Sequence, residues 1–132
     1  MKILVINGHP DKESYCQTIF QTIVETIDSN RHELKVISLN EEDFDPVLRY
    51  GYRKRMKEDS FIRRSQELIQ WAEHFIFVYP IWWSSMPSLM KGWIDRVFTP
   101  GIAYSANDQG SFIWNYLRGK QFKKLLKGKT AS

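Results

Sequence analysis

The sequence predicts an α/β fold: an open, doubly wound parallel sheet with helices on both faces, a three-layer αβα arrangement. Three observations predict it. Short apolar runs at 3–6, 34–39 and 75–79 are rich in β-branched and aromatic residues. Stretches with apolar residues at helical spacing alternate with these runs. The run at 75–79 carries no polar alternation, which predicts a strand buried on both faces. Right-handed crossovers then set the first and third strands side by side, with a switch point between them. The loops that follow those two strands meet at one crevice.

Each element has its own signal. The first strand is 3–6, four apolar residues, followed by the turn formers Asn7, Gly8, His9, Pro10, Asp11, Lys12, Glu13 and Ser14. Ser14 is placed as an N-cap, and Cys16, Ile19, Phe20, Ile23, Val24 and Ile27 run along one face of the helix behind it. The second strand, 34–39, is more polar and is expected nearer an edge. Residues 40–59 are irregular, with a turn at Asp45-Pro46 and a short helix expected around Tyr50 and Tyr52. Ser60 is expected to cap the next helix, whose apolar side is Phe61, Ile62, Leu68, Ile69 and Ala72.

The third strand ends at Pro80, which cannot donate to a ladder. Ile81, Trp82, Trp83, Ser84 and Ser85 form the loop, and after Pro87 the residues Leu89, Met90, Trp93, Ile94, Val97 and Phe98 recur at helical spacing. Residues 102–110, containing Tyr104, read as a surface loop. Phe112, Trp114, Tyr116 and Leu117 read as an aromatic flap or a short pairing segment, and the basic stretch 120–129 as a short helix or a loop. Residues 129–132 read as the start of a fourth strand.

Composition bounds the function. The 132 residues suffice for one domain, 1–132, with a real core. The formal net charge is only +4, and no nucleic-acid motif accompanies it, so nucleic-acid binding is not expected. His9, His32 and His74 lack ligand spacing, so no metal site is expected. A single cysteine excludes an internal disulfide and, with no signal-peptide layout at the start, predicts a cytoplasmic protein. The sequences G-x-x-x-x-G-K and G-x-S-x-G are both absent, which argues against a P-loop nucleotidase and a serine hydrolase.

Two loops carry the chemistry. The first leads into a helix N-terminus, whose free N–H groups and positive dipole end favour an anion; it reads as a phosphate site or simply as a helix cap. The second presents two adjacent tryptophans at the C-terminal end of a strand. An exposed indole there needs a cover, either a planar ligand or a second subunit.

The residues Gly8-His9-Pro10, Ser14-Tyr15, Tyr79-Pro80-Ile81-Trp82-Trp83-Ser84-Ser85-Met86-Pro87, Lys91-Gly92-Trp93-Ile94-Asp95-Arg96-Val97-Phe98 and Gly101-Ile102-Ala103-Tyr104 resemble the flavodoxin-like NAD(P)H:quinone oxidoreductase family. The resemblance covers nearly the whole chain. It implies bound FMN, or alternatively FAD, and two-electron transfer from NAD(P)H to a quinone or similar acceptor. It implies that His9, Glu13, Ser14, Tyr15 and Cys16 hold the flavin phosphate, and that Pro80, Ile81, Trp82, Trp83 and Ser84 line the ring. Tyr104 matches a tyrosine that in relatives reaches toward the acceptor, often across a homodimer. Cys16 stands where relatives commonly have asparagine, so its side chain is expected to be a helix residue.

The family continues with a fourth strand, a Gly-rich loop, a last helix and a fifth strand. This sequence stops where the fourth strand begins, so the fold is expected to be truncated there. A polypeptide ending at Ser132 is expected to bind flavin weakly or not at all. Two alternatives follow: a non-catalytic regulatory subunit of a membrane ion-efflux system, and an inactive fragment.

Overall fold

The computed structural model describes residues 1–106 and 122–132. The aromatic stretch Phe112, Trp114, Tyr116 and Leu117 therefore lies outside the described residues. The elements run β1 (Lys2–Asn7), α1 (Tyr15–Thr26), β2 (Glu33–Ser38), a single 3-10 turn (Leu39–Glu41), α2 (Ser60–Trp71), β3 (His74–Val78), α3 (Ser88–Val97), β4 (Tyr104–Ala106), β5 (Phe122–Lys124) and β6 (Thr130–Ala131).

The main sheet is parallel with strand order β2-β1-β3-β6. The chain steps from β1 to β2 on one side, then returns to β3 on the other, which makes the space between β1 and β3 the switch point. In register, Leu4 sits beside Phe75 and Ile6 beside Phe77. β4 and β5 form a separate antiparallel pair. Residues 129–132 do start a fourth strand: the Ser132 N–H donates to the Phe75 carbonyl, and the Phe77 N–H to the Ser132 carbonyl.

Alternation along β1 sends Leu4 and Ile6 to one face, and Ile3 and Val5 to the other. On the first face, α2 and α3 bring Ile69, Met90, Trp93 and Val97 against them, all almost fully buried. Trp93 satisfies its indole by donating to Ser65 Oγ at 3.1 Å, as a buried indole N–H requires. On the second face, α1 contributes Phe20 as its one buried residue, with Cys16, Ile23, Val24 and Ile27 half-buried around it.

β3 is buried on both faces, in part: Phe75 on the α2 and α3 side and Val78 on the α1 side are buried, and their same-face neighbours Phe77 and Ile76 are half-buried. Among the described residues, α1 alone covers the Ile76 side.

Some local expectations change. Residues 104–106, read as surface loop, and 122–124, read as a short helix or loop, pair as β4 and β5. Asp59, not Ser60, caps α2, its Oδ1 accepting from the N–H groups of Phe61 and Ile62 at 2.9 and 3.2 Å. A carboxylate one residue earlier reaches both free donors and also suits the positive helix end. Tyr50 and Tyr52 lie on turns rather than a helix, with Gly51 at φ +55 and its N–H donating to the Leu48 carbonyl. Positive φ at that point interrupts any right-handed helix. The 42–59 stretch is nevertheless packed. Phe44 meets Phe61 at a centroid distance of 5.1 Å, and Pro46 lies so close to Gly92 that a Cβ there would collide with the Pro46 backbone.

Candidate functional site

The loop after β1 is organised by Asn7, the last residue of that strand, which is fully buried. Its Nδ2 donates to Gln17 Oε1 at 2.6 Å and to Ser38 Oγ at 3.4 Å, and its Oδ1 accepts the His9 N–H at 3.1 Å. One amide thus ties the loop to α1 and to the end of β2. The chain then turns by short side-chain bonds: the Asp11 N–H donates to His9 Nδ1 at 2.9 Å and the Glu13 N–H to Asp11 Oδ1 at 3.0 Å. Because Nδ1 accepts, the neutral imidazole carries its proton on Nε2, facing away from the turn. Ser14 caps α1 as its sequence position predicts, accepting the Gln17 N–H at 3.3 Å. The N–H groups of Tyr15 and Cys16, in the first turn, have no partner among the described residues. They point where an anion is favoured.

The loop after β3 is anchored by Pro87, which is buried, and rises into the most exposed apolar segment of the described chain. Ile81 is 75% exposed, Trp82 46% and Trp83 completely exposed. Trp82 and Ser85 exchange two backbone hydrogen bonds at 2.8 and 3.0 Å, closing a tight turn. Its two central residues, Trp83 and Ser84, have φ of +51 and +60. That region favours glycine and asparagine, so a tryptophan there is strained. Such strain recurs at ligand-binding bends.

These two loops converge. Gly8 donates its N–H to the Val78 carbonyl at 2.8 Å, and the His9 and Trp82 rings meet edge-on with centroids 5.4 Å apart. Gly8 is required by closeness: a Cβ there would run into Met90 Sδ of α3. Neither indole of the second loop is locked inside.

The remaining expected residues are placed as follows. Glu13 and Tyr15 have exposed side chains on the rim of the first loop. Cys16 is half-buried against the α1 side of the sheet, and burial pushes its thiol pKa up, as befits a helix residue. Pro80 is half-buried, and Ser84 is exposed at the turn. Tyr104 opens β4, its carbonyl accepting the Gly101 N–H at 2.7 Å. It neighbours Tyr52, whose phenol donates to the Asp95 carbonyl at 3.2 Å. Burial first, then Tyr104 and Asp95, raise the Tyr52 pKa.

Sequence reasoning missed Asn7 with its partners Gln17 and Ser38, and Asn40, whose Oδ1 accepts from the Ser38 hydroxyl. The available signal was an asparagine directly after an apolar strand, at the end that faces the crevice. It also missed a cavity of about 710 Å³ that shares no lining residue with this crevice, between the 48–59 loop, the start of α2 and residues 99–102. Among the described residues no cluster of three His, Cys, Asp or Glu could hold a metal, and no helix is long and apolar enough to cross a membrane.

A parallel sheet whose switch point carries an anion-suited helix start beside a flat, indole-bearing bend defines a doubly wound ligand-binding domain. The chain belongs to the family described as having a flavodoxin-like fold, which residues 1–131 match. It is similar to ribosyldihydronicotinamide dehydrogenase [quinone] of Mus musculus, 27% identical over 139 residues, covering 90% of this chain and 59% of that protein. It is also similar to an uncharacterized NAD(P)H oxidoreductase of Haemophilus influenzae, 28% identical over 132 residues, covering 96% of this chain and 63% of that protein. Among solved structures it resembles Smu.1420 from Streptococcus mutans, 33% identical with a TM-score of 0.77, covering 99% of this chain and 65% of that one. The chain thus spans less than two thirds of the length of each of these relatives.

Proposed function

We propose that this chain is the flavin-holding part of an NAD(P)H-dependent oxidoreductase that reduces quinones or similar acceptors by two electrons. The edge-on contact of His9 with Trp82 carries the reading. It brings a donor-rich helix start and a flat apolar bend within reach of one phosphorylated, planar ligand. The names of the mouse and Haemophilus relatives, a quinone-linked dehydrogenase and an NAD(P)H oxidoreductase, support the same class.

The residues fit such a group. His9 Nε2 and the N–H groups of Tyr15 and Cys16 would hold the phosphate, with Glu13 and Ser14 shaping the turn. Pro80, Ile81, Trp82, Trp83 and Ser84 would line the ring. A bound flavin supplies two-electron exchange between a nicotinamide and the acceptor. The chain's own part is to orient the ring and exclude water from one side of it. FMN is the preferred cofactor, with FAD as the alternative. Tyr104 would face the acceptor, and a second copy of the chain would cover what the cofactor leaves exposed at Ile81 and Trp83.

The test is a flavin titration of the purified protein followed by NADH- and NADPH-dependent loss of quinone absorbance. Saturable quenching of flavin fluorescence, abolished by His9→Ala with Trp82→Ala, is expected. A protein that leaves added FMN and FAD fluorescence untouched would end the proposal.

A further inference from the structure

We propose that the cavity between the 48–59 loop, the start of α2 and residues 99–102 binds a small organic phosphate. Its volume of about 710 Å³ lies within the usual range for small-molecule sites. Five cationic side chains line it, Lys54, Arg55, Lys57, Arg63 and Arg96, against two carboxylates. Those two are already engaged: Asp59 caps α2, and Glu58 pairs with Arg63 at 3.1 Å. The cations left without a carboxylate are therefore Lys54, which lies over the Tyr50 ring, Arg55, Lys57 and Arg96.

Arg96 is the independent sign of a ligand. It is only 7% exposed, yet its one hydrogen-bond partner among the described residues is the Asp45 carbonyl, reached through Nη1. The carboxylate that feels its charge, Asp45, is bonded to the Val47 N–H and to Arg49 at 2.7 Å. Its other guanidinium donors are not sealed from water, so an occupant of the cavity that Arg96 lines can reach them. An oxyanion with several acceptor oxygens satisfies such a fork, and a dianionic phosphate also matches the surplus of charge. Part of the wall is apolar, with Leu48, Met56, Ile62, Pro100 and Ile102, which suits a ring attached to the phosphate. Thr99–Ile102 also lead directly into Tyr104, through the Gly101 N–H bond to the Tyr104 carbonyl. An occupant therefore leans on the segment that carries Tyr104.

The proposal goes beyond the flavin reading and stands on different residues. Its chemistry has two sources: the phosphorylated ribose of a nicotinamide dinucleotide, or a free organic phosphate. The probe is adenosine 2′-monophosphate, titrated calorimetrically into the full chain at near-physiological salt. Saturable binding is expected, weakened about tenfold or more in the double variant Arg55→Ala with Lys57→Ala and weakened further by added salt. Both substitutions are on the exposed loop, so an unchanged thermal melt checks that the fold is intact. Arg96→Lys is the second variant, expected to weaken binding by losing the fork. Displacement of the probe by NADPH and not by NADH assigns the phosphate to the dinucleotide; displacement by neither assigns it to a free organic phosphate. Equal binding of adenosine itself, or an unchanged affinity in the double variant, overturns the proposal. The flavin titration run on the same preparation is independent, so failure of one reading leaves the other standing.

Discussion

The loop after β1 and the loop after β3 end at the same crevice, but their backbones are held by different forces. In the first, a buried amide and a relay of side-chain acceptors fix each turn: Asn7 holds His9, His9 holds Asp11, and Asp11 holds Glu13. No residue of that loop has positive φ. In the second, a single pair of backbone bonds between Trp82 and Ser85 pinches the chain, and Trp83 and Ser84 take up left-handed backbone as a result. The comparison teaches that one wall of the site is preorganised by hydrogen bonds, while the other stores strain and leaves its largest side chain in solvent. An anion-binding wall gains from fixed donors. An apolar wall that awaits a flat partner needs exposure more than bonding.

Breaking the first wall is expected to give the largest effect. Asn7→Ala removes the shared partner of Gln17, Ser38 and the His9 N–H, leaving buried polar groups unpaired, and is expected to destabilise the fold by about 2–3 kcal/mol in urea unfolding. An unchanged midpoint would mean that the first loop holds itself without its amide hub. Gly8→Ala presses a methyl group against Met90 Sδ; since that side chain is flexible, a smaller loss of about 1–2 kcal/mol is expected. A loss well above that would show that α3 cannot shift beneath the loop. The second wall is expected to respond with the opposite sign. Trp83→Gly relieves left-handed strain of roughly 1–2 kcal/mol, partly cancelled by the roughly 0.5–1 kcal/mol of extra chain entropy that glycine brings to the unfolded state. A net gain of about 0.5 kcal/mol in thermal unfolding is expected, together with weaker FMN quenching. A destabilised variant would mean that the indole packs on something in solution.

Much of this architecture was legible in the chain. The apolar runs located β1, β2 and β3 to within a residue or two, Ser14 was the cap it looked like, and residues 129–132 did begin a strand beside β3. That at least one of Trp82 and Trp83 faces outward was readable, because two adjacent tryptophans cannot both enter one core; that both are exposed was not. What could not be read depends on contacts distant in sequence. Asp59 and Ser60 are both good capping residues, and only the entry angle of the chain chose between them. The 42–59 stretch has no period, so nothing local told that Pro46 would fill the groove at Gly92. Arg96 reads as one more charge on an amphipathic helix until that stretch folds over it.

The sequence by itself determined the sheet, its handed crossovers and the meeting of two loops at the switch point, because strand period, helix period and chain chirality are local properties that add up to a topology. Tertiary structure alone decided the rest: that a buried asparagine would organise one loop, that a tryptophan would sit in left-handed backbone on the other, and that an arginine would be largely closed over with a backbone carbonyl on one of its donors. Each of these depends on what an unrelated stretch of chain leaves beside it, and packing of that kind has no signature in any short window of residues.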